Sequence, residues 1–411
     1  MVRRAQILLA GTLVAILPCG AATSQTAPST VLNEQVQLGD VFSQQTLNVV
    51  EVSDFTDGGS HASGAAFTAT LDRNDGDMRS YQETQGQVAA DTRLNVSVNS
   101  GQTTTLTTKA AGAYGYANAY GATLTGVYTQ ATGPTSVTAH SHVEAPDAQT
   151  GAVASQVQAS GAAQVIGLQY GSAGVRTSQS NAASVTSDGG GVYGYVPGSA
   201  SFTAVSAGAD VALSGSNGSA ARMISDQNNT GPLTQAAQFT AFGNVQQATT
   251  SATAAGASIN AVNEGSLLDV TGRQANQAYV RAQASSAAYQ YGTASVSAYG
   301  VGAAIVAGDI GGELLLDTYQ TNGGDGVEAL ARFDGTEGYD AQASATAYGN
   351  EVTGYACADC QGRIDVNNGQ VNNADVGAQS VVNVQSGRSA RGVASAVGNS
   401  ATYYVSRSSG Q

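Results

Sequence analysis

The segment Leu94-Asn95-Val96-Ser97-Val98-Asn99 places apolar and polar side chains in strict alternation, stops at Ser100-Gly101 and resumes in the Thr-rich run Thr103 to Thr108. Alternation with period two sends successive side chains to opposite faces, so the segment predicts two strands joined at a tight corner. β-branched Thr suits an exposed strand face. Further strands are predicted at Leu47-Asn48-Val49-Val50-Glu51-Val52, ending in a Gly58-Gly59 turn, and at Val185-Thr186, Ile364-Asp365-Val366, Val381-Val382-Asn383-Val384 and Thr402-Tyr403-Tyr404-Val405. Gly, Asn and Asp recur between them at turn spacing. The most hydrophobic stretch beyond the N-terminus, Gly311-Gly312-Glu313-Leu314-Leu315-Leu316-Asp317, reads as a buried strand. Ala-rich runs such as Ala252 to Ala257 could be helical, since Ala is the best helix former. They carry no apolar stripe of period 3.6 and lack Leu, Glu and Lys, so strands with Ala and Ser inward are expected, giving a slender, tightly packed interior.

A small-x-small-x-aromatic-Gly segment recurs at Phe239 to Asn244, Val296 to Gly300 and Ala345 to Asn350, with an aromatic-free copy at Ala394 to Asn399. Its glycines, and the earlier pair Gly121 and Gly171, fall about fifty residues apart, which is long for one solenoid coil and fits two stacked coils. Units that cannot each bury a hydrophobic face must stack on their neighbours. The expected fold is therefore all-β, an elongated β-solenoid or β-helix-like stack rich in Gly, Ala, Ser and Thr. Three regions are expected: a cleaved secretory signal at 1–22, an N-terminal β cap region at 23–110, and irregular repeats of about fifty residues over 111–411.

Composition narrows the function. Among 411 residues 11% are charged, one is Lys (Lys109), 52 are Gly, 18 are Tyr, none is Trp and only six are Pro. So few charges and prolines argue against a disordered chain. The formal charge of −14 argues against nucleic acid, which requires clustered Lys and Arg, and against electrostatic docking on anionic lipid. Arg3 and Arg4, the apolar stretch Ile7 to Leu17 and the small residues Gly20, Ala21 and Ala22 form the signal that predicts Sec export. Cys19 follows Pro18, where a lipoprotein signal needs a small residue, so lipidation is not expected.

Candidate chemistry is sparse. Cys357-Ala358-Asp359-Cys360 reads as a local disulfide in an oxidising compartment, with a redox CxxC or a zinc site as weaker readings, since His61, His140 and His142 lie far away in sequence. Asp72 to Asp77 and Gly323 to Leu330 touch on calcium-loop patterns, but each departs from its motif and reads better as a turn. No GxSxG, P-loop or HExxH occurs, the acidic residues are scattered, and no catalytic, cofactor or metal residues are assigned. Tyrosine is the most plausible contact residue, a rigid apolar ring with a polar tip. Tyr114, Tyr116, Tyr120, Tyr128, Tyr289, Tyr291 and Tyr299 lie in Gly-rich segments and are candidate contacts for a glycan or partner, against the simpler reading that they pack the ends of a thin core.

Taken together, the exported, charge-poor chain, the segments Tyr120-Gly121, Tyr299-Gly300 and Tyr348-Gly349-Asn350, and the Cys357 to Cys360 turn resemble the holdfast-anchor (holdfast attachment) family, most closely its D-type members. The resemblance implies a polar cell-surface protein, exported through an outer-membrane curli-type secretion channel. It implies work with a small curlin-like anchor partner to fasten an adhesive polysaccharide to the outer membrane. It brings no catalytic residues. Curlins have much shorter repeats with regularly placed Gln and Asn, which this chain is expected to lack, and this argues against an amyloid subunit. Exposed strand edges suggest self-association or strand addition by the partner. The alternatives are a secreted β-helical polysaccharide-processing enzyme and an amyloid-like fibre subunit.

Overall fold

In the computed structural model, which describes residues 28–357 and 362–406, every regular element is a β-strand and the strands pair in parallel. The chain winds through eight coils, each presenting three sides. Coil 1 is β1 (Ser29–Gln37), β2 (Val41–Glu51) and β3 (Phe55–Asp72); coil 2 is β4 (Gly76–Thr84), β5 (Val88–Asn99) and β6 (Thr103–Tyr120). Coil 3 is β7 (Thr123–Thr132), β8 (Ser136–Gln149) and β9 (Ala152–Gln169). In the middle the strands run around corners without a break: β10 (Ser172–Asn181) and most of β11 (Ser184–Asn229) make coil 4. The end of β11 with most of β12 (Leu233–Asn276) makes coil 5, and the end of β12 with β13 (Tyr279–Asp309) makes coil 6. β14 (Glu313–Asn322) and β15 (Val327–Cys357) form coil 7, and β16 (Ile364–Asn372), β17 (Val376–Ser386) and β18 (Ser389–Ser406) form coil 8.

The third side is about as long as the other two joined, and it lies across from both. In coil 2, Gln82 and Thr84 of the first side donate to the carbonyls of Tyr114 and Gly112 on the long side, at 2.9 and 2.6 Å. On the second side, Thr92 accepts from Thr108 at 2.8 Å. The core between the sides is thin. Alternation in β5 buries Val88, Ala90, Thr92, Leu94 and Val96 and turns the residues between them outward. Where the second and third sides meet, Tyr193, Phe202 and Phe242 pack with ring centroids 5.3–5.9 Å apart, and Tyr291 meets Phe333 edge-on at 4.9 Å. Fully burying one such side chain is worth about 1.5–3 kcal/mol, so these rings anchor a core otherwise built largely of Ala and Val.

Polar ladders run through the same interior. Gln35, Gln82, Gln130, Gln179, Gln227, Gln274, Gln320 and Gln370 occupy one column, and the Nε2 of each donates to the Oε1 of the glutamine one coil earlier, at spacings of 46 to 50 residues. The second Nε2 hydrogen goes to a carbonyl of the long side, as from Gln227 to Ser258 at 2.9 Å. Asn181, Asn229, Asn276, Asn322 and Asn372 form a neighbouring ladder of opposite polarity, the Nδ2 of each of the first four donating to the next coil at 2.9 Å. Buried amides are tolerable here because each rung satisfies the next. Facing the Asn ladder, a column of Gly64, Gly112, Gly161, Gly208, Gly256, Gly302, Gly349 and Gly398 lets the long side approach.

Several sequence expectations change. The repeat of about fifty residues is one wide coil and not two, because each residue pairs with its counterpart 46 to 50 positions away. The aromatic-Gly segments do not share a column: Gly349 and Gly398 belong to the glycine column, Gly300 lies two residues before its member Gly302, and Gly243 sits against Gly194 at a corner. Gly58-Gly59 is not a turn but part of β3, where a Cβ on Gly58 would stand 2.9 Å from Leu47. Residues 29–110 wind as the same three-sided coils as the rest. Gln and Asn are regularly placed after all, at the coil spacing instead of a short one. The strands expected at Ala252 to Ala257 and Leu314 to Leu316 are present, with Leu314 and Leu316 buried.

Candidate functional site

Along the long side the inward-outward alternation slips by one residue at the glycine column. In β9, Ala159 points into the core, Gly161 and Ala162 both lie inward, and Ser160 and Ala163 flank them on the outer surface. The slip creases the sheet, so that the outward residues Ser160, Ala163, Ala207 and Ala255 are only 4–8% exposed. Registry repeats the crease from coil to coil: Ser63, Ala111, Ser160, Ala207, Ala255, Val301 and Tyr348 line one wall. The result is a groove parallel to the stack axis, floored by small side chains.

At its N-terminal end the groove widens to a cavity of about 440 Å³ lined by His61, Lys109, Tyr114, Gln158 and Asp210 among others. It thus gathers the single lysine, a histidine, a phenol and a carboxylate, none adjacent in sequence. Asp210 accepts from the Ser258 hydroxyl, and burial holds its carboxyl above the usual carboxylate range, with the Ser258 hydrogen bond opposing. Farther along the same wall, the Tyr299 hydroxyl donates to Glu351, and burial followed by that hydrogen bond raises the phenol above its ordinary range. A carboxyl with a raised folded-state pKa holds its proton more tightly when folded. Its contribution is therefore favourable below the unfolded value near 4 and is lost as pH rises toward the folded value. Asp309, buried at a corner with its Oδ2 unpartnered, carries the same sign. Asp210→Asn should stabilise the protein at pH 7 by on the order of 1 kcal/mol, with the gain vanishing below about pH 4. Paired thermal melts across pH check this, and a gain that persists at pH 3 would rule out charge burial as its source.

The tyrosines divide between surface and core. Tyr114, Tyr116, Tyr120 and Tyr299 are half-buried on the outer side of the long face, and Tyr289 is exposed. Tyr128 and Tyr291 are corrections: alternation turns Tyr128 inward beside Met78, and a break in the alternation at the exposed pair Tyr289-Gln290 turns Tyr291 inward against Phe333, so both rings pack in the core. Sequence reading missed Tyr195 and Tyr339, which are exposed near Tyr289 where the second and third sides meet and line an adjoining hollow of about 710 Å³. Only coil registry brings them together. It likewise unites His61 and Lys109, which are paired in register on β3 and β6.

Other candidate chemistry does not converge. Asp210 and Glu351 share a column three coils apart, roughly 14 Å at the usual strand spacing. Glycosidase carboxylate pairs stand about 5–9.5 Å apart. His140 pairs with Asp91 at 2.9 Å and His142 with Glu144 at 2.7 Å on the second side. Among the described residues no three His, Cys, Asp or Glu side chains gather to hold a metal ion. Asp72 to Asp77 is a turn in which Asp75 accepts from the Thr123 amide. Cys357 ends β15, while Cys360 and the signal segment 1–22 lie outside the described residues.

No curated protein and no solved structure matches the chain. The family model of holdfast attachment protein D matches residues 50–326, from the end of β2 to the start of coil 7. Because that match spans more than half of the sequence, this eight-coil β-solenoid belongs to the holdfast attachment protein D family.

Proposed function

We propose that the protein is a non-catalytic rod on the cell surface that fastens an adhesive polysaccharide to the outer membrane at the cell pole. Membership of the holdfast attachment family carries this reading. The architecture suits it. Tension along the stack is shared by all hydrogen bonds of a coil interface, so no single bond bears the load. The creased long face offers Tyr114, Asp210 and Ser258 to a hydrated chain, and Tyr195, Tyr289 and Tyr339 offer apolar ring faces with polar tips for stacking on sugars. In this reading the protein reaches the surface through Sec and a curli-type secretion channel and works beside a small curlin-like partner.

Deleting the gene should leave synthesis of the adhesive intact but shed it into the medium, as measured by lectin staining of cells and supernatant. Retained polymer of altered length would replace the anchor with a processing enzyme. Retained, unaltered polymer would remove anchoring altogether.

A further inference from the structure

We infer that copies of this chain stack head to tail, coil 8 of one on coil 1 of the next, continuing the solenoid into an open filament. Within the stack each ladder glutamine uses both Nε2 hydrogens, one on the long side and one on the glutamine a coil earlier. Among the described residues, Gln35 uses one, on the Ala66 carbonyl at 2.8 Å, and at the other end the Gln370 Oε1 accepts no hydrogen bond. A second copy would join that donor to that acceptor in the geometry already repeated seven times. The asparagine ladder has the opposite polarity and leaves the complementary remainder: among the described residues Asn372 Nδ2 donates only to Ala374, where interior members such as Asn276 also reach the next coil. The foot of that column is Gln37, whose Oε1 accepts nothing among the described residues.

The apolar columns match in the same register. Val31, Val41 and Leu47 at the foot correspond to Val366, Val376 and Val382 at the head, and all six are half-buried where the interior members of their columns are mostly buried. On the long side the column that starts at Asp57 ends at Arg391. Both are exposed and neither has an ion-pair partner among the described residues, so stacking brings opposite charges together in a chain of net charge −14. Among the described residues β1 and β16 each pair on one edge only, leaving two parallel edges of matching direction. Because the two ends are different surfaces, the contact is heterologous and does not close.

The test uses the exported full-length chain, purified and followed by sedimentation velocity and electron microscopy over a concentration series. Wild type should form rods of varying length but constant width. Asp57→Arg and Arg391→Glu, each alone, should raise the concentration needed for assembly at least tenfold while leaving circular dichroism unchanged. Mixing the two variants should restore rods, because each mismatched end then meets its complement. A wild type that stays monomeric at every concentration, particles that stop at dimers, or single variants that assemble like wild type would each overturn end-to-end stacking. Misfolded variants would show in the circular dichroism, and Gln35→Leu with Gln370→Leu, which alter only the terminal rungs, then provide the same comparison.

Discussion

Gly208→Val should destabilise the protein by about 3 kcal/mol or more. A Cβ at Gly208 would stand 2.4 Å from the Gly256 carbonyl oxygen one coil away and 2.4 Å from the Asn229 amide in the facing ladder. Asn229 is locked into its ladder by hydrogen bonds to Asn181 and Asn276, and the carbonyl is backbone, so neither can step aside. The only relief is to separate coils 4 and 5 or to push the long side from the other two. Gly208 has no left-handed φ, so the cost is close approach alone. Gly174→Ala is the control: a Cβ there meets nothing within 4 Å, and the loss of unfolded-state freedom should stabilise by about 0.4–1 kcal/mol. Denaturant unfolding of the two variants, with hydrogen exchange to locate the damage, decides the matter. Equal stabilities would show that the glycine column is not a contact.

The same column explains what the sequence could reveal. Alternation at Leu94 to Asn99 exposes strand character directly, because side-chain direction is set by the backbone alone. The roughly fifty-residue spacing of Gly349 and Gly398 likewise exposes the coil length. What stays hidden is which feature repeats. The aromatic residues catch the eye, yet Phe242, Tyr299 and Tyr348 occupy different columns, whereas the true invariants of the stack are the silent glycine and the buried glutamine. Gln is common enough on solvent faces that its spacing is unremarkable until the facing carbonyl is seen. Tyr128 and Tyr291 illustrate the same limit: in a strand one step of register decides between core and surface, and bulges such as the slip at Gly161 change the step. The groove depends on that slip, so Lys109 and Asp210, far apart in sequence, could not have been paired without it.

The stability of the stack therefore rests on polar rungs as much as on its Ala and Val core, and Gln227→Leu tests this at mid-stack. Gln227 donates to Gln179 at 2.8 Å and to the Ser258 carbonyl at 2.9 Å, and accepts from Gln274 at 2.7 Å. Leucine fills most of the volume but strips one hydrogen bond each from the Gln179 Oε1, the Ser258 carbonyl and the Gln274 Nε2, in a column where Gln227 itself is 3% exposed. Each stripped group costs about 1–3 kcal/mol, so the expected loss is about 3–6 kcal/mol, comparable with the total stability of many domains. Gln35→Leu removes only the long 3.3 Å terminal rung: Gln82 keeps its bonds to Tyr114 and Gln130, and the abandoned Ala66 carbonyl belongs to an exposed residue, so the cost should be less than about 1 kcal/mol. Denaturant midpoints of the two variants measure the difference. A mid-stack leucine as harmless as the terminal one would mean that hydrophobic burial carries the interior and that the ladder serves only to hold register between coils.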